Sequence, residues 1–340
     1  MELVEVKGSE SFSQILIGES IDNLKNYTSN SKLFIITDGN VKRLYSNRFP
    51  IAPLYCIEPG ETSKNFQTTI DIYRWLLENN ADRSSFIVGI GGGVVCDMAG
   101  FVASTFMRGV NFGFVATTLL AQVDASVGGK NGIDLDGYKN IIGTFNQPKF
   151  VICDISMLKT LPPIEFANGM AEVVKHALIS DKSMFDDIEK NRIEILALNE
   201  RLIEYLVTRN VRIKASIVEA DERENGLRRV LNLGHTWGHA VEKLTGIPHG
   251  QAVSIGLVFA ANLSLEKGLL SLDERNRLES ILSNIGLPIT TDANPKHIFE
   301  VLQKDKKRDN ELVHFVLMKG IGSVEVEKIN LKELEKFIQK

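Results

Sequence analysis

Up to about residue 155, short apolar and β-branched runs alternate with turn residues and with helical spacing. The runs 32–38 (KLFIITD), 54–58 (LYCIE), 86–90 (FIVGI), 112–118 (FGFVATT) and 150–154 (FVICD) predict buried strands. Within Asn65–Asn80, Ile70, Tyr73, Leu76 and Leu77 recur at helical spacing and predict a helix between two of them. This alternation is the pattern of βαβ units around a parallel sheet. Beyond about residue 158 strand-like runs vanish. The long stretches Ile193–Ala220 and Gln251–Lys267 predict helices. One late run, 314–329 (HFVLMKGIGSVEVEKI), places Gly-Ile-Gly between two β-rich segments and predicts a hairpin. The expected class is α/β, with an open-sheet domain over 1–158 and a mostly helical domain over 159–340.

Composition narrows this further. A chain of 340 residues at 44% hydrophobic can bury two cores. A formal charge of −4 argues against a nucleic-acid binder, which would carry a net basic surface. The three cysteines (Cys56, Cys96, Cys153) follow no metal spacing and fit a reducing compartment. The first ten residues, MELVEVKGSE, lack the basic and apolar regions of a secretory signal, and no apolar run approaches the length of a membrane span. A soluble, cytoplasmic chain is expected, without nucleic-acid or membrane partners.

The run FIVGI leads into Gly91-Gly92-Gly93-Val94-Val95-Cys96-Asp97 and then a helical pattern. Glycines there permit positive φ and let a phosphate approach the backbone amides, and the helix N-terminus adds donors and a favourable dipole. The segment resembles the dinucleotide-binding fingerprint, but Cys96 stands where its third glycine would be. A plain tight β-to-α turn is the bland alternative. Asp38-Gly39-Asn40-Val41 closes an early strand, Glu61 and Lys64 follow the next, and Thr117-Thr118 close a fourth. Polar groups at the carboxyl ends of several strands are what an open α/β sheet offers a nucleotide.

His235 and His239 lie four apart in NLGHTWGHAVEKL, on one face if that segment is helical. His249 follows in GIPHGQAVSIGL, and Glu172 sits in the apolar NGMAEVVKHAL, where His176 shares its helix. One glutamate with two histidines is a ligand set for catalytic zinc that leaves a position open. The residues alone equally allow His235 and His239 as the metal pair, or buried histidines with structural bonds. His297 and His314 read as surface or packing residues. Arg108, Lys130, Lys139, Lys175, Lys214, Arg228 and Lys306 fall near the glycine-rich or histidine motifs, where they would grip a small anion. In VDASVGGKNG, the apolar stretch and glycines around Lys130 and Asp124 suggest a lined pocket.

Taken in order, GGGVVCDMAGFVASTFMRG, TTLLAQVDASVGGKNG, GYKNIIGTFNQP, NGMAEVVKHA, DERENGLRRVLNLGHTWGHAVE and HGQAVSIGL resemble the signature blocks of the 3-dehydroquinate synthase family, from about Asp38 to the DKK at 305–307. The resemblance implies a Rossmann-like N-terminal NAD domain and a helical C-terminal domain for metal and substrate. It implies Glu172, His235 and His249 as ligands of zinc, with cobalt as the alternative. His239 becomes a proton-transfer residue and Glu224 a second proton acceptor. The implied NAD contacts are Asp38, Asn40, Glu61, Lys64, Gly92, Gly93, Val94, Asp97, Thr117, Thr118, Lys139 and Thr160. The implied substrate contacts are Arg108, Asp124, Lys130, Asn140, Lys175, Lys214, Arg228, Asn232 and Lys306. A homodimer is implied as well. The chain departs from the family pattern at Cys96, at Ala116 (a frequent proline) and at Gln251 (a frequent glutamate), none of them an implied contact.

The implied activity converts 3-deoxy-D-arabino-heptulosonate 7-phosphate to 3-dehydroquinate and phosphate. Its steps are transient oxidation by NAD, β-elimination, reduction, ring opening and an intramolecular aldol. Sister sugar-phosphate cyclases act on sedoheptulose 7-phosphate or glucose 6-phosphate, which lack a carboxylate. They tend to depart at Arg228, Asn232 and His239, all kept here. Metal-dependent polyol dehydrogenases usually carry Asp at the position of Glu172. A binding module without catalysis is disfavoured by the intact Glu172, His235, His249 and Lys130.

Overall fold

In the computed structural model all residues are described except 10–11, 29–30, 307–311 and 340, and the side chains of 305 and 306. The chain runs β1 (Glu2–Lys7), β2 (Phe12–Ile17), β3 (Leu33–Asp38), α1 (Gly39–Tyr45), β4 (Leu54–Ile57), α2 (Phe66–Glu78), β5 (Phe86–Gly91), α3 (Gly93–Thr105), β6 (Asn111–Ala116), β7 (Lys130–Leu135), β8 (Tyr138–Phe145) and β9 (Phe150–Cys153). Then come α4 (Pro163–Ser180), α5 (Lys182–Lys190), α6 (Arg192–Leu196), α7 (Glu200–Ala220), α8 (His235–Thr245) and α9 (His249–Glu266). The chain ends with α10 (Leu272–Ile285), α11 (Pro295–Lys306), β10 (Leu312–Met318), β11 (Val324–Asn330) and α12 (Leu331–Ile338). Two compact units result: Met1–Leu161 with Glu200–Arg223, and Pro162–Asn199 with Glu224–Lys340.

The first unit is built on a seven-stranded sheet in the order β1-β2-β9-β6-β5-β3-β4. Only β1 pairs antiparallel; the other pairings are parallel. Every residue of β5 is buried, as a central parallel strand covered on both faces requires. From β3 the chain steps outward to edge strand β4, then returns to β5 on the other flank of β3. That reversal opens a crevice at the carboxyl ends of β3 and β5, where doubly wound sheets take their ligands. The run 112–118 stops being a strand at Ala116, which leaves Thr117 and Thr118 beyond the strand end. Helix α7 lies against the outer strands: Lys7 donates its amide to Glu219 (2.9 Å), and Arg212 pairs with Glu2 (2.9 Å).

Two pairs of strands were not foreseen. β1 and β2 extend one edge of the sheet, and β7 and β8 form a separate hairpin. The β7–β8 turn is Asp136-Gly137 with φ of 50° and 79°, the left-handed pair that a two-residue hairpin demands. This Asp-Gly signal stands in the sequence. Much of the hairpin beyond it is exposed, so its strands lack the apolar runs that marked the others.

The periodicity of 193–220 proves to be two helices, α6 in the second unit and α7 in the first. Leu198 adopts φ 57° between α6 and α7, a left-handed leucine that the sequence pattern does not announce. α4 is buried along most of its length, and α9 on nearly every face. Their approach depends on missing side chains. A Cβ on Gly256 would lie 1.8 Å from the Gly234 carbonyl oxygen, and one on Gly250 would lie 2.3 Å from that of Asn168. Trp237 of α8 stacks on Phe259 of α9 with ring centroids 4.0 Å apart. The predicted late hairpin is present as β10 and β11, turned at Gly320-Ile321-Gly322. Among the described residues, no helix is long and apolar enough to cross a membrane.

Candidate active site

The polar residues at the carboxyl ends of the first unit's strands fall into two kinds. Some finish the protein's own bonding. Asp38 caps α1 by accepting from the amides of Asn40 (2.8 Å) and Val41 (3.0 Å). Thr160, beyond β9, bonds the Tyr45 hydroxyl at 2.6 Å. Others leave backbone donors available. Asp38 caps α1 and Asn65 caps α2, but no side chain caps α3, whose N-cap is Gly92 and whose first turn holds no acid. The first-turn amides of α3, from Gly93 and Val94 onward, therefore suit an anionic group, and this is the feature that fits a dinucleotide pyrophosphate.

The three glycines serve this turn differently from the expectation. None of Gly91, Gly92 and Gly93 takes a positive φ. They are needed for closeness: a Cβ on Gly91 would meet Val95 at 2.5 Å, and one on Gly92 would meet Thr118 at 3.1 Å. Cys96 is buried behind the turn with Sγ 3.9 Å from the Gly91 carbonyl, and burial pushes its thiol well above its usual range.

Beside this turn, Lys64 is buried and donates to Asp97 Oδ2 and Asn140 Oδ1, both at 2.5 Å. Desolvation opposes its charge, but Asp97 and Glu61 outweigh it and hold the ammonium above its ordinary pKa. Burial lifts the Asp97 carboxyl despite Lys64. One cation thus ties the expected nucleotide end to the β7–β8 hairpin. Lys139 approaches Glu61 at 3.9 Å. Asp124 lies in a π-helical turn, Ala121–Ala125, and accepts from Lys214 of α7 at 2.6 Å. Gln122, which the sequence reading missed, anchors this turn by donating to the carbonyls of Ala116 (3.0 Å) and Asp154 (3.2 Å). Lys130 opens β7 and is exposed, as is Arg108. Arg108 and Asn140 hold φ of 70° and 51°, strain of the kind that gathers at functional sites.

In the second unit, α4, α8 and α9 bring Glu172, His235 and His249 together, with one donor atom of each within 4.8 Å of the others. His235 and His249 are the first residues of α8 and α9, and Glu172 faces them from the buried middle of α4. Glu172 Oε1 lies 3.6 Å from Nε2 of each imidazole. That is too long for a hydrogen bond, yet close to the roughly 3.3 Å between ligand atoms of a tetrahedral zinc. The other ring nitrogens are already engaged: His235 Nδ1 donates to the Leu233 carbonyl and His249 Nδ1 to Glu242, each at 3.1 Å. Both Nε2 atoms thereby face inward, so the donor set fits a divalent metal.

Electrostatics follow from this packing. Burial would raise the Glu172 carboxyl, but Lys175, ion-paired with it, and the two imidazoles hold it well below its usual range. Burial and the Lys175 ammonium push His235 well below its ordinary value. Burial also opposes charge on His249, yet the Glu172 and Glu242 carboxylates win and raise it to about 9. His239 is exposed, its ring centroid 5.0 Å from His235 and 5.9 Å from His249. Arg228 is buried on the turn before α8, where Asn232 donates to Glu224 Oε1 at 2.6 Å while Glu224 holds φ 60°. Lys306 ends α11, and its side chain lies outside the described residues. Of the two histidines given no role, His297 is exposed and His314 packs beside Arg229 at 3.1 Å.

Two solved structures share this fold over almost the whole chain. The 2-epi-5-epi-valiolone synthase of Streptomyces hygroscopicus subsp. jinggangensis, with NAD+ and Zn2+ bound, superposes with a TM-score of 0.88 at 23% identity, covering 100% of this chain and 98% of that one. A 2-deoxy-scyllo-inosose synthase complexed with carbaglucose-6-phosphate, NAD+ and Co2+ gives 0.85 at 24% identity, covering 99% of each. Fold and site thus define the class: an α/β and helical protein with the fold of these two synthases and a three-ligand candidate metal centre. Family models described as 3-dehydroquinate synthase N-terminal and C-terminal match residues 54–168 and 169–308. The 3-dehydroquinate synthase of Prochlorococcus marinus is 42% identical over 330 residues, 92% of this chain and 90% of that protein. The chain belongs to the 3-dehydroquinate synthase family.

Proposed function

We propose that this enzyme, a phosphate-eliminating lyase, converts 3-deoxy-D-arabino-heptulosonate 7-phosphate to 3-dehydroquinate and phosphate with NAD and zinc or cobalt. The observation that carries the reading is the Glu172–His235–His249 cluster, spaced for a metal around a buried carboxylate, in a chain of this family. When bound, NAD supplies a transient hydride acceptor and the metal a Lewis acid at the oxidised hydroxyl.

The chain's own residues bind, orient and move protons. The uncapped amides at the start of α3 receive the dinucleotide pyrophosphate, and Lys64 with Asp97 sets the wall beside it. Asp38, Asn40, Glu61, Thr117, Thr118, Lys139 and Thr160 complete the nucleotide contacts. Glu172, His235 and His249 hold the metal. His239, exposed beside both histidines, exchanges a proton at its ring nitrogen with the substrate. Glu224 offers a second carboxylate, steadied by the Asn232 amide. Arg108 and Lys130 take the phosphate, while Lys214 and Arg228 take the carboxylate.

Arg228→Ala is expected to raise the substrate KM about 10–100-fold, the worth of a charge-assisted bond, with the KM for NAD nearly unchanged. Steady-state kinetics with each component varied checks this; equal effects on both would remove Arg228 from the carboxylate. The reaction itself is tested by a panel of the heptulosonate phosphate, sedoheptulose 7-phosphate, glucose 6-phosphate and glycerol. Turnover of the first alone is expected. Preference for either of the other sugar phosphates would indicate a sister cyclase, and NADH accumulating with glycerol a polyol dehydrogenase.

A further inference from the structure

The two imidazoles that face Glu172 are oriented by different means. His235 Nδ1 donates to the Leu233 carbonyl at 3.1 Å, a backbone group two residues away that persists whatever the side chains are. His249 Nδ1 donates to a side chain, Glu242, also at 3.1 Å. Glu242 lies two helical turns after His235 on the same face of α8, and it is 7% exposed. Its distance from His249 is set by the tightest helix contact of the second unit. There Gly238 leaves no room for a Cβ, which would sit 2.8 Å from the Ala252 carbonyl, and Gly256 would bring a Cβ within 1.8 Å of Gly234. A carboxylate held this rigidly against Nδ1 fixes the plane of the ring and turns Nε2 toward Glu172.

We infer that Glu242 is a positioning residue of the metal centre, acting through the ring orientation of its candidate ligand His249. The inference rests on the reading that Glu172, His235 and His249 hold a metal. Because Glu242 acts through one ligand, its loss weakens the site without dismantling it.

The test measures zinc affinity of the full-length apoprotein by competition with a chromogenic chelator, for the wild type, E242A and E242Q. Circular dichroism melts of each apoprotein run alongside. The wild type is expected to bind one zinc per chain, E242A to bind about 10–100-fold more weakly, and E242Q to recover most of the loss. The recovery is expected because an amide oxygen accepts the same Nδ1–H bond. If E242A does not fold, E242M, which fills the space without an acceptor, takes its place under the same criterion. Affinity within twofold of wild type in the folded variant overturns the inference, and so does E242Q binding as weakly as E242A. Two zinc ions per wild-type chain falling to one in E242A would make Glu242 a ligand of its own ion and overturn it as well. A wild type that takes up no zinc would instead sink the metal reading beneath it.

Discussion

Glu172→Gln is expected to empty the metal centre and to lower turnover by at least about 10³-fold, close to the loss of the metal's whole contribution. Two effects of one substitution add. The amide keeps the shape of the side chain but cannot serve as the anionic ligand between His235 and His249, each 3.6 Å from its oxygen. It also strips the counter-charge from Lys175, which is 1% exposed on the same helix. Leaving one member of a buried ion pair costs about 3–5 kcal/mol, so the melting midpoint should fall with the activity. Metal content by atomic absorption, together with a melt, checks both. A variant that kept one metal per chain would show that the carboxylate is not a ligand.

Gly256→Ala is expected to be nearly as damaging through packing alone. Its methyl would lie 1.8 Å from the Gly234 carbonyl oxygen and 2.9 Å from the Gly238 amide nitrogen, both backbone atoms that no rotamer change can move aside. α8 and α9 would have to separate, and each begins with a metal-binding candidate. A cost of at least about 3 kcal/mol follows, which for a unit of this size lowers the melting midpoint by roughly 6–12 °C. Zinc affinity should fall too, since His235 and His249 move apart. A melt within a degree or two of wild type would mean that the helices repack at little cost.

Much of the architecture was legible in the chain. The five runs became five strands of the sheet: the central parallel strands are apolar on both faces and leave an unbroken β-branched signature, whereas the run 54–58, expected to be buried, became the partly exposed edge strand β4. β8 was missed because it is largely exposed, and β7 because Asn131 and Gly132 stand at two of its three buried positions; only their Asp136-Gly137 turn was visible. The break at Leu198 was missed because a left-handed leucine is imposed by its surroundings. At the site, four-residue spacing put His235 and His239 on one helical face, but spacing could not say which of them meets Glu172. That depends on where α4 crosses α8 and α9, which the glycine contacts decide. Glu242 went unseen, although its seven-residue distance from His235 marks the same face. The glycine-rich turn was read correctly as a turn and for the wrong reason, since closeness to Val95 and Thr118, rather than positive φ, excludes larger residues.

The central claim is that oxidation, elimination and reduction occur within one turnover. The most direct measurement incubates the protein with NAD, zinc and 3-deoxy-D-arabino-heptulosonate 7-phosphate, and follows phosphate, dehydroquinate and NADH together. Equal amounts of phosphate and dehydroquinate with no net NADH, all lost on chelation, are predicted. Phosphate-free accumulation of NADH, or phosphate release that survives a chelator, would contradict the account.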